Sequence, residues 1–170
     1  AQLGPIHLSD ARESVVKRLL TMLREAHAEG CQLVVFTELA LTTFFPRYVY
    51  HEQSEIDAWF EREMPNTATQ PLFDEAKRLK IGFYLGYAEL AEENGVIKHY
   101  NTSILVAPDG RIIGKYRKVH LPGHDEILDN VPFQHLEKRY FDVGNLGFPV
   151  WRLYDRIMGM CICNDRRWPE

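Results

Sequence analysis

The residue with the clearest capacity for chemistry is Cys163, which follows a short apolar run near the end of the chain. The composition becomes polar and charged directly after it, over 164–167, and Pro169 with Glu170 suits the first turn of a helix. This pattern predicts that Cys163 lies where a buried strand gives way to a helix. A thiol there faces free backbone N–H groups and the positive end of the helix dipole, which stabilise a thiolate. We therefore predict a reactive cysteine, alkylated before Cys31.

The neighbouring Cys161 has a different interpretation, as a small core residue, because free cysteine is among the most often buried residue types. On one strand Cys161 and Cys163 would share a face, where a disulfide or a two-ligand metal site could be imagined. Adjacent positions on a strand give poor disulfide geometry, and no second Cys or His pair accompanies them. Three cysteines form no disulfide framework, and this favours a cytoplasmic protein.

A cysteine nucleophile needs a base for its proton and a cation or N–H donors for the oxyanion that forms when a carbonyl is attacked. Glu38 follows an apolar run of strand length, and Lys118 follows a group of predicted strands. Together with Cys163 they supply the required set. His120 and His135 compete with Glu38 for the role of base, because histidine is the usual partner of a catalytic cysteine.

Hydrophobic periodicity indicates a mixture of helices and strands. The predicted elements are helix 10–30, strand 33–36 covered on both faces, helices 54–63 and 69–80, strands 81–90, 96–107 and 111–116, and strands 148–154 and 157–163 around a turn at Asp155-Arg156. Asn94-Gly95 predicts a tight hairpin. The long segment 117–147 is predicted to be mostly irregular and functional. This order, without repeat or linker, predicts one layered α/β domain.

Composition excludes several classes of protein. The chain has 170 residues, 45% of them hydrophobic, which is enough for a real core. Its net charge of -4, from 20 basic and 24 acidic side chains, argues against a nucleic-acid partner. No apolar run has the length of a membrane span, and the first residues lack the features of a signal peptide. Asn101-Thr102-Ser103 matches a glycosylation sequon, which has no meaning in a cytoplasmic protein.

Three local sequences, 35–40, 115–121 and 160–165, resemble the Glu, Lys and Cys motifs of the nitrilase superfamily in the same chain order. Within that superfamily, further segments are similar to the N-carbamoyl-D-amino acid amidohydrolases, or D-carbamoylases: 42–47, 120–124, 133–141 and 164–170. The resemblance covers essentially the whole chain, and it is weakest over 125–131 and at the first residues.

This resemblance implies an α-β-β-α sandwich and a cofactor-free, metal-free hydrolase that forms a homo-oligomer when full length. The implied reaction converts an N-carbamoyl-D-amino acid to the D-amino acid, carbon dioxide and ammonia. Cys163 would attack the carbamoyl carbon, and Glu38 would act as general base and then acid. Lys118 would stabilise the oxyanion, and Glu137 would orient the site and keep Lys118 charged.

Substrate binding is predicted for residues beside the nucleophile. Arg166 and Arg167 could form a charged fork for the substrate carboxylate, and positive charge at a helix start is unfavourable without an anion nearby. By resemblance, His135 and the backbone N–H of Asn164 are further candidates.

Members of the superfamily continue well beyond the nucleophile. The resemblance therefore implies that residues 1–170 are one carbon-nitrogen hydrolase domain truncated at both ends, and we expect this fragment to be poorly stable and inactive alone. Two alternatives stay open. One is another amidase or a β-ureidopropionase-like enzyme of the superfamily. The other is a non-catalytic binding relative, against which the intact Glu38, Lys118 and Cys163 argue.

Overall fold

The computed structural model describes residues 1–131 and 133–169. Its helices are α1 (Arg12–Ala28), α2 (Gln53–Asp57), α3 (Gln70–Leu79) and α4 (Glu137–Tyr140), and its strands are β1 (Leu33–Val35), β2 (Gly82–Glu93), β3 (Val96–Val106), β4 (Ile112–Arg117), β5 (Val150–Leu153) and β6 (Arg156–Gly159). Short 3₁₀ helices cover Phe45–Arg47 and Cys163–Arg167. The predicted α/β class is confirmed.

A four-stranded sheet in the order β1-β2-β3-β4 carries the site. β1 is parallel to β2, and β2, β3 and β4 form an antiparallel meander. The hairpin between β2 and β3 turns at Asn94 and Gly95, whose φ angles of 52° and 77° are those of a two-residue turn with the twist of the flanking strands. The predicted hairpin is therefore confirmed.

Helices α1 and α3 cover one face of this sheet. Their buried side chains recur at helical spacing and pack on the sheet: Val15, Leu19 and Leu23 from α1, Leu72 and Ala76 from α3, and Phe83, Leu85 and Ile104 from β2 and β3. On the opposite face a second cluster joins Leu105 of the sheet to Leu153 and Trp151 of the β5–β6 hairpin. The described residues thus form a helix layer, a sheet and a hairpin laid on that sheet.

The helix predicted over 54–63 is wrong beyond Asp57. The backbone N–H of Glu61 donates to the carbonyl of Ala88 at 2.8 Å, and the carbonyl of Glu61 accepts from Leu90 at 2.9 Å. Pairing with β2 therefore replaces helical hydrogen bonds. The aromatic residues read as a helical stripe still point inward, since the Phe60 ring lies 5.4 Å from that of Phe45.

The end of the chain also differs from the prediction. Strand 157–163 stops at Gly159, and the turn before it is formed by Tyr154 and Asp155, both with positive φ. Among the described residues β6 pairs with β5 in a two-stranded sheet, and one face of this hairpin is open, since Ile157 is 60% exposed. Cys161 is exposed rather than buried in the core.

One further prediction needs correction. β1 is not covered on both faces, because Val35 is 52% exposed beside a cavity. Where the structure describes it, the segment 117–147 is mostly irregular, as predicted, and includes the single turn α4. The predicted helix start at Pro169 involves Glu170, which lies outside the described residues. Within residues 1–131 and 133–169, no helix has both the length and the apolar character needed to cross a bilayer.

Candidate active site

A buried lysine joins two carboxylates at the centre of the candidate site. Lys118 is 0% exposed, and its Nζ lies 2.7 Å from Oε1 of Glu38 and 2.6 Å from Oε2 of Glu137. Burial acts to lower the pKa of Lys118, but the charges of the two carboxylates and their hydrogen bonds outweigh it and raise that pKa above its usual value. The ammonium group is therefore held in its charged form and cannot serve as a base near neutral pH.

Glu38 reaches this lysine through a sharp bend after β1. Leu39 has a φ of 48°, and the N–H of Ala40 donates to the carbonyl of Gly86 at 2.8 Å. A Cβ at Gly86 would lie 2.9 Å from the carbonyl oxygen of Thr37 and 3.0 Å from Cα of Glu38. Because Gly86 has no side chain, the bend can press directly on β2, and this contact sets the position of Glu38.

Glu137 is the first residue of α4 and is 1% exposed. Its neighbours Leu136 and Tyr140 pack into a cluster with Phe45, which anchors the turn. The other oxygen of its carboxylate, Oε1, lies 3.2 Å from Nε2 of His135. The structure therefore brings His135 to the site, where it contacts the carboxylate that pairs with Lys118.

Cys163 begins a 3₁₀ helix and has a φ of 48°, which is uncommon for a residue with a side chain. The helix is held in place by Asp165, whose Oδ2 accepts from the N–H of Ile162 at 2.9 Å and from the hydroxyl of Tyr116 at 2.8 Å. The exposed thiol therefore stands at a sharp turn that is fixed to β4.

One cavity of about 360 Å³ brings the predicted nucleophile and base together. Glu38 and Cys163 both line it, and the rest of the wall is mainly apolar. Tyr84 adds a hydroxyl group, and burial raises the pKa of this tyrosine to about 12, so it stays neutral. Glu38 thus links the cavity with Cys163 to the buried charge of Lys118.

The helix predicted to begin at Pro169 involves Glu170, outside the described residues, and the 3₁₀ segment Cys163–Arg167 that carries Cys163 is too short to have a large dipole. The nearby positive charge is instead that of Arg166. Its Nη1 lies 3.9 Å from Sγ of Cys163 and donates to the carbonyl of the same residue at 2.6 Å. Cys161 and Cys163 do not lie on a strand, although both line the cavity.

The remaining predicted substrate-binding residues lie differently. Arg166 and Arg167 are both exposed, and neither is among the described residues that line the cavity, so what distinguishes Arg166 is its contact with Cys163. The side chain of Asn164 donates to the carbonyl of His120 at 3.1 Å and lines a neighbouring cavity of about 430 Å³. The structure therefore brings Arg166 to the nucleophile, but it does not bring Arg167 or the Asn164 side chain there.

Of the two histidines that compete with Glu38 for the role of base, His120 is held by Asp165. Nδ1 of His120 lies 2.9 Å from Oδ1 of Asp165, and its backbone N–H donates to the same oxygen at 2.9 Å. The imidazole stacks on Trp168 with ring centroids 5.0 Å apart. These contacts give His120 a part in fixing the turn that carries Cys163.

Sequence reasoning missed three residues of this site: Asn101, Asp165 and Tyr84. Asn101 donates from Nδ2 to Oε1 of Glu38 at 2.7 Å, and it is buried within β3. Asn101 lies in the mainly polar stretch 98–103 of β3, so the sequence alone does not single it out. Nothing in the sequence distinguishes Tyr84 from a core tyrosine. Across the described residues, no group of three or more His, Cys, Asp or Glu side chains is arranged to hold a metal ion.

The sequence of the whole chain matches a known protein family. The family profile described as carbon-nitrogen hydrolase matches residues 1–170. The chain belongs to the carbon-nitrogen hydrolase family. This confirms the nitrilase superfamily predicted from the three motifs, and the fold is the nitrilase-type α/β fold.

Curated relatives of this carbon-nitrogen hydrolase include several amidases. N-carbamoylputrescine amidase of Arabidopsis thaliana is 31% identical over 151 residues, which cover 88% of this chain and 45% of that protein. Omega-amidase NIT2 of Pongo abelii is 30% identical over 165 residues, covering 97% and 54% respectively. A nitrilase of Pyrococcus abyssi is 34% identical over 149 residues, covering 88% and 49%. The chain spans about half the length of these relatives, and the D-carbamoylase branch stays a prediction.

Solved structures agree with the fold. A carbon-nitrogen hydrolase from Helicobacter pylori G27 superimposes with a TM-score of 0.76 at 23% identity, over 99% of this chain and 52% of that one. Nit3 of Saccharomyces cerevisiae gives a TM-score of 0.72 at 24% identity, over 97% and 55%.

Proposed function

We propose that the protein hydrolyses N-carbamoyl-D-amino acids to the D-amino acid, carbon dioxide and ammonia. Cys163 is the nucleophile in this proposal, Glu38 the general base and acid, and Lys118 the cation that stabilises the oxyanion. Glu137 keeps Lys118 charged and in place. The choice of the D enantiomer rests on the resemblance of segments 42–47 and 133–141 to the D-carbamoylases.

The proposed reaction has two stages. Glu38 takes the thiol proton as sulfur bonds to the carbamoyl carbon, and the charge on the oxygen is balanced by Lys118. The protonated Glu38 then donates its proton to the leaving nitrogen, leaving a covalent thioester-like intermediate on Cys163. In the second stage Glu38 takes a proton from water, which attacks the same carbon, and the C–S bond breaks as Glu38 returns the proton to sulfur. The carbamic acid that is released divides into carbon dioxide and the second nitrogen product.

The observation that supports an anionic substrate is the position of Arg166, 3.9 Å from Sγ of Cys163. A guanidinium group binds a carboxylate through two parallel hydrogen bonds, so an N-carbamoyl amino acid suits this place. N-carbamoylputrescine carries an ammonium group at its far end, and a neighbouring guanidinium repels it. The name of the plant relative is therefore a weaker guide to this substrate than Arg166.

A second candidate substrate is an ω-amide of a carboxylic acid, as the name of omega-amidase NIT2 suggests. Such a compound also carries a carboxylate that Arg166 can bind. The two candidates differ in the group that is attacked, a carbamoyl group in one and a simple amide in the other.

The test is ammonia release by the protein expressed from its complete natural gene. N-carbamoyl-D-phenylalanine, its L enantiomer, N-carbamoylputrescine and glutaramate are compared at equal concentration. We expect turnover of the D-carbamoyl compound alone. Turnover of glutaramate alone would move the protein to the ω-amidases, turnover of N-carbamoylputrescine would contradict the role of Arg166, and binding without turnover would indicate a non-catalytic relative.

Arg166 is tested directly by Arg166→Gln, with Arg167→Gln as the matched control. Loss of a charge-assisted contact to the carboxylate raises KM for the D-carbamoyl substrate roughly tenfold to a hundredfold, while kcat changes less. The exposed Arg167 is expected to have a smaller effect. A larger rise in KM for Arg167→Gln would reverse the assignment.

A further inference from the structure

Asn101 contacts both charged partners of the candidate site from the middle of the sheet. It lies on β3 opposite Ala88 of β2 and is 1% exposed. Its backbone carbonyl accepts the N–H of Lys118 at 2.8 Å, and its side-chain Nδ2 donates to Oε1 of Glu38 at 2.7 Å. Asn101 therefore fixes both the backbone of Lys118 at the end of β4 and the position of the Glu38 carboxylate.

These contacts make the two oxygens of Glu38 unequal. Oε1 accepts two hydrogen bonds, from Nζ of Lys118 and Nδ2 of Asn101, each at 2.7 Å. Oε2 accepts none from residues 1–131 and 133–169. Protonating Oε1 would break one of those two contacts, because a protonated oxygen has one fewer lone pair to offer. A proton taken up by Glu38 therefore goes to Oε2.

The orientation of the Asn101 amide is set by Glu38. Turning the amide over would place its carbonyl oxygen against the carboxylate, so the NH₂ group must face Glu38. In this orientation Oδ1 of Asn101 is buried without a hydrogen-bond partner among the described residues. An unpaired buried acceptor is destabilising for the fold. The benefit of this side chain therefore lies at Glu38 rather than in the packing of β3.

We propose that Asn101 is a positioning residue that commits Oε1 of Glu38 to Lys118 and reserves Oε2 for the proton of the Cys163 thiol. When the S–H bond breaks and sulfur bonds to the carbonyl carbon, the proton passes to Oε2 and is later given to the leaving nitrogen. This inference rests on the proposed roles of Glu38 and Cys163.

Two variants remove the donor in different ways. Asn101→Asp keeps the shape and places a second carboxylate beside Glu38, so the pair holds a proton to higher pH. We expect kcat to fall roughly tenfold to a hundredfold, a part of what a general base contributes, and the acidic limb of the kcat/KM profile to move to higher pH. Asn101→Leu removes the donor without adding charge, so kcat falls and the limb moves less. KM changes little in both, because the side chain of Asn101 contacts Glu38 and not Arg166, the residue proposed to bind the substrate carboxylate.

Thr102→Val is the matched control. Thr102 is the next residue of β3, is fully buried, and donates to Oε2 of Glu89 at 2.7 Å. Like the Asn101 variants, Thr102→Val removes a buried hydrogen bond to a carboxylate, but this carboxylate belongs to Glu89 and not to Glu38. We expect a lower melting temperature with kcat and the acidic limb unchanged. Circular dichroism and a cooperative melt check that each variant folds.

A second readout needs no substrate: the rate of iodoacetamide alkylation of Cys163 as a function of pH. Peptide fragmentation separates this thiol from Cys161, and the exposed Cys31 serves as the internal reference. We expect Asn101→Asp to move the rise in Cys163 alkylation to higher pH relative to Cys31. If the natural protein turns over no carbamoyl substrate, the proposed function fails while this profile still tests Asn101. A profile unchanged in both Asn101 variants, or moved equally by Thr102→Val, would overturn the inference.

Discussion

The charge of Lys118 determines which residue of the cluster Glu38, Lys118 and Glu137 can transfer protons. A lysine with two carboxylates on its Nζ and a raised pKa is a fixed cation, so proton transfer falls to Glu38. The lysine also pairs two carboxylates that would otherwise repel each other. A single side chain thus supports both the stability of the centre and its proposed chemistry.

The first prediction concerns this lysine. Lys118→Met removes the ammonium group that pairs with both Glu38 and Glu137, and loss of one partner of a buried ion pair costs about 3–5 kcal/mol in the free energy of unfolding. Loss of the oxyanion partner lowers kcat by roughly a hundredfold to a thousandfold. Urea denaturation and steady-state kinetics measure the two effects.

The matched control is Lys98→Met, which removes a partly exposed pair with Asp142 at 2.8 Å. Such pairs contribute about 0–1 kcal/mol, so little change is expected. Equal losses of stability for Lys118→Met and Lys98→Met would contradict the central position given to Lys118.

Residue types suggested Glu38, Lys118 and Cys163 as a catalytic set, and the resemblance to the nitrilase superfamily was needed to predict them, with Glu137, as neighbours. The sequence could not predict Asn101, because its importance comes from the pairing of β3 with β2 and β4. It could not predict the separation of Arg166 from Arg167 either, because that depends on the local turn and not on their order in the chain.

At the scale of elements, glycines allow the segments that carry charged residues to approach the sheet. Gly86 leaves room for the bend at Glu38 and Leu39, and Gly144 donates its N–H to the carbonyl of Lys118 at 2.9 Å. A Cβ at Gly144 would lie 2.0 Å from the carbonyl oxygen of Arg117. These close backbone contacts fix the main chain at Glu38 and Lys118, and so set the positions of both side chains.

The second prediction is that Gly86→Ala lowers activity more than its effect on stability explains. The new Cβ meets backbone atoms of Thr37 and Glu38 at 2.9 Å and 3.0 Å, so the bend must shift. Overpacking of this kind costs about 1–3 kcal/mol in stability. A displaced base should also lower kcat at least tenfold, a part of the contribution of general base catalysis.

Gly82→Ala in the same strand is the control, because its Cβ would lie 2.9 Å from the carbonyl oxygen of Val106, away from Glu38. Melting temperatures and kcat are measured for both variants. If Gly86→Ala and Gly82→Ala lost the same amount of kcat for the same loss of stability, Gly86 would have no particular role at the site.

A cluster of charges joins α1 to α3. Oε1 of Glu75 lies 2.5 Å from Nε of Arg24 and 2.8 Å from Nη2 of Arg78. Hydrogen bonds from Arg78 and Arg24 lower the pKa of Glu75 from 4.5 to about 2. The folded state therefore holds the carboxylate charged to lower pH than the unfolded chain does.

The third prediction follows from this shift. A lowered folded-state pKa adds stability above pH 4.5, and this contribution is lost as the pH falls from 4.5 to about 2. Glu75→Gln should reduce the stability near pH 6 and flatten its decline in that window. The control is Asp74→Asn on the exposed side of α3, and thermal melts from pH 6 to pH 2 provide the measurement. A decline as steep in Glu75→Gln as in the natural protein would contradict the role of Glu75.

Most elements followed from periodicity and turn residues, as with α1, α3 and the β2–β3 hairpin. The helix predicted over 54–63 failed because a tertiary contact, the pairing of Glu61 with β2, outweighs local spacing. Strand 157–163 failed because apolar residues were taken to be buried, whereas this face of the hairpin is open. The spacing of hydrophobic residues within one segment does not show which other segment of the chain it will pack against.

At the scale of the molecule, the site lies where three parts of the fold meet. The end of β1 supplies Glu38, the end of β4 supplies Lys118, and the segment after β6 supplies Cys163. The chain-wide resemblance predicted this assembly because it compared all three motifs at once. Val150 and Ile157 leave apolar surface exposed on the hairpin, and homo-oligomer formation by the full-length protein stays a prediction.

The central claim is that Cys163 forms a covalent intermediate with a carbamoyl substrate. The full-length protein is mixed with N-carbamoyl-D-phenylalanine, quenched in acid and mapped by peptide mass spectrometry, beside Cys163→Ala and Cys161→Ala. Both thiols are exposed and line the same cavity, so access alone does not separate them. We predict an adduct on Cys163 and ammonia release in the natural protein and in Cys161→Ala, and neither in Cys163→Ala. An adduct or turnover that persists in Cys163→Ala would contradict the account.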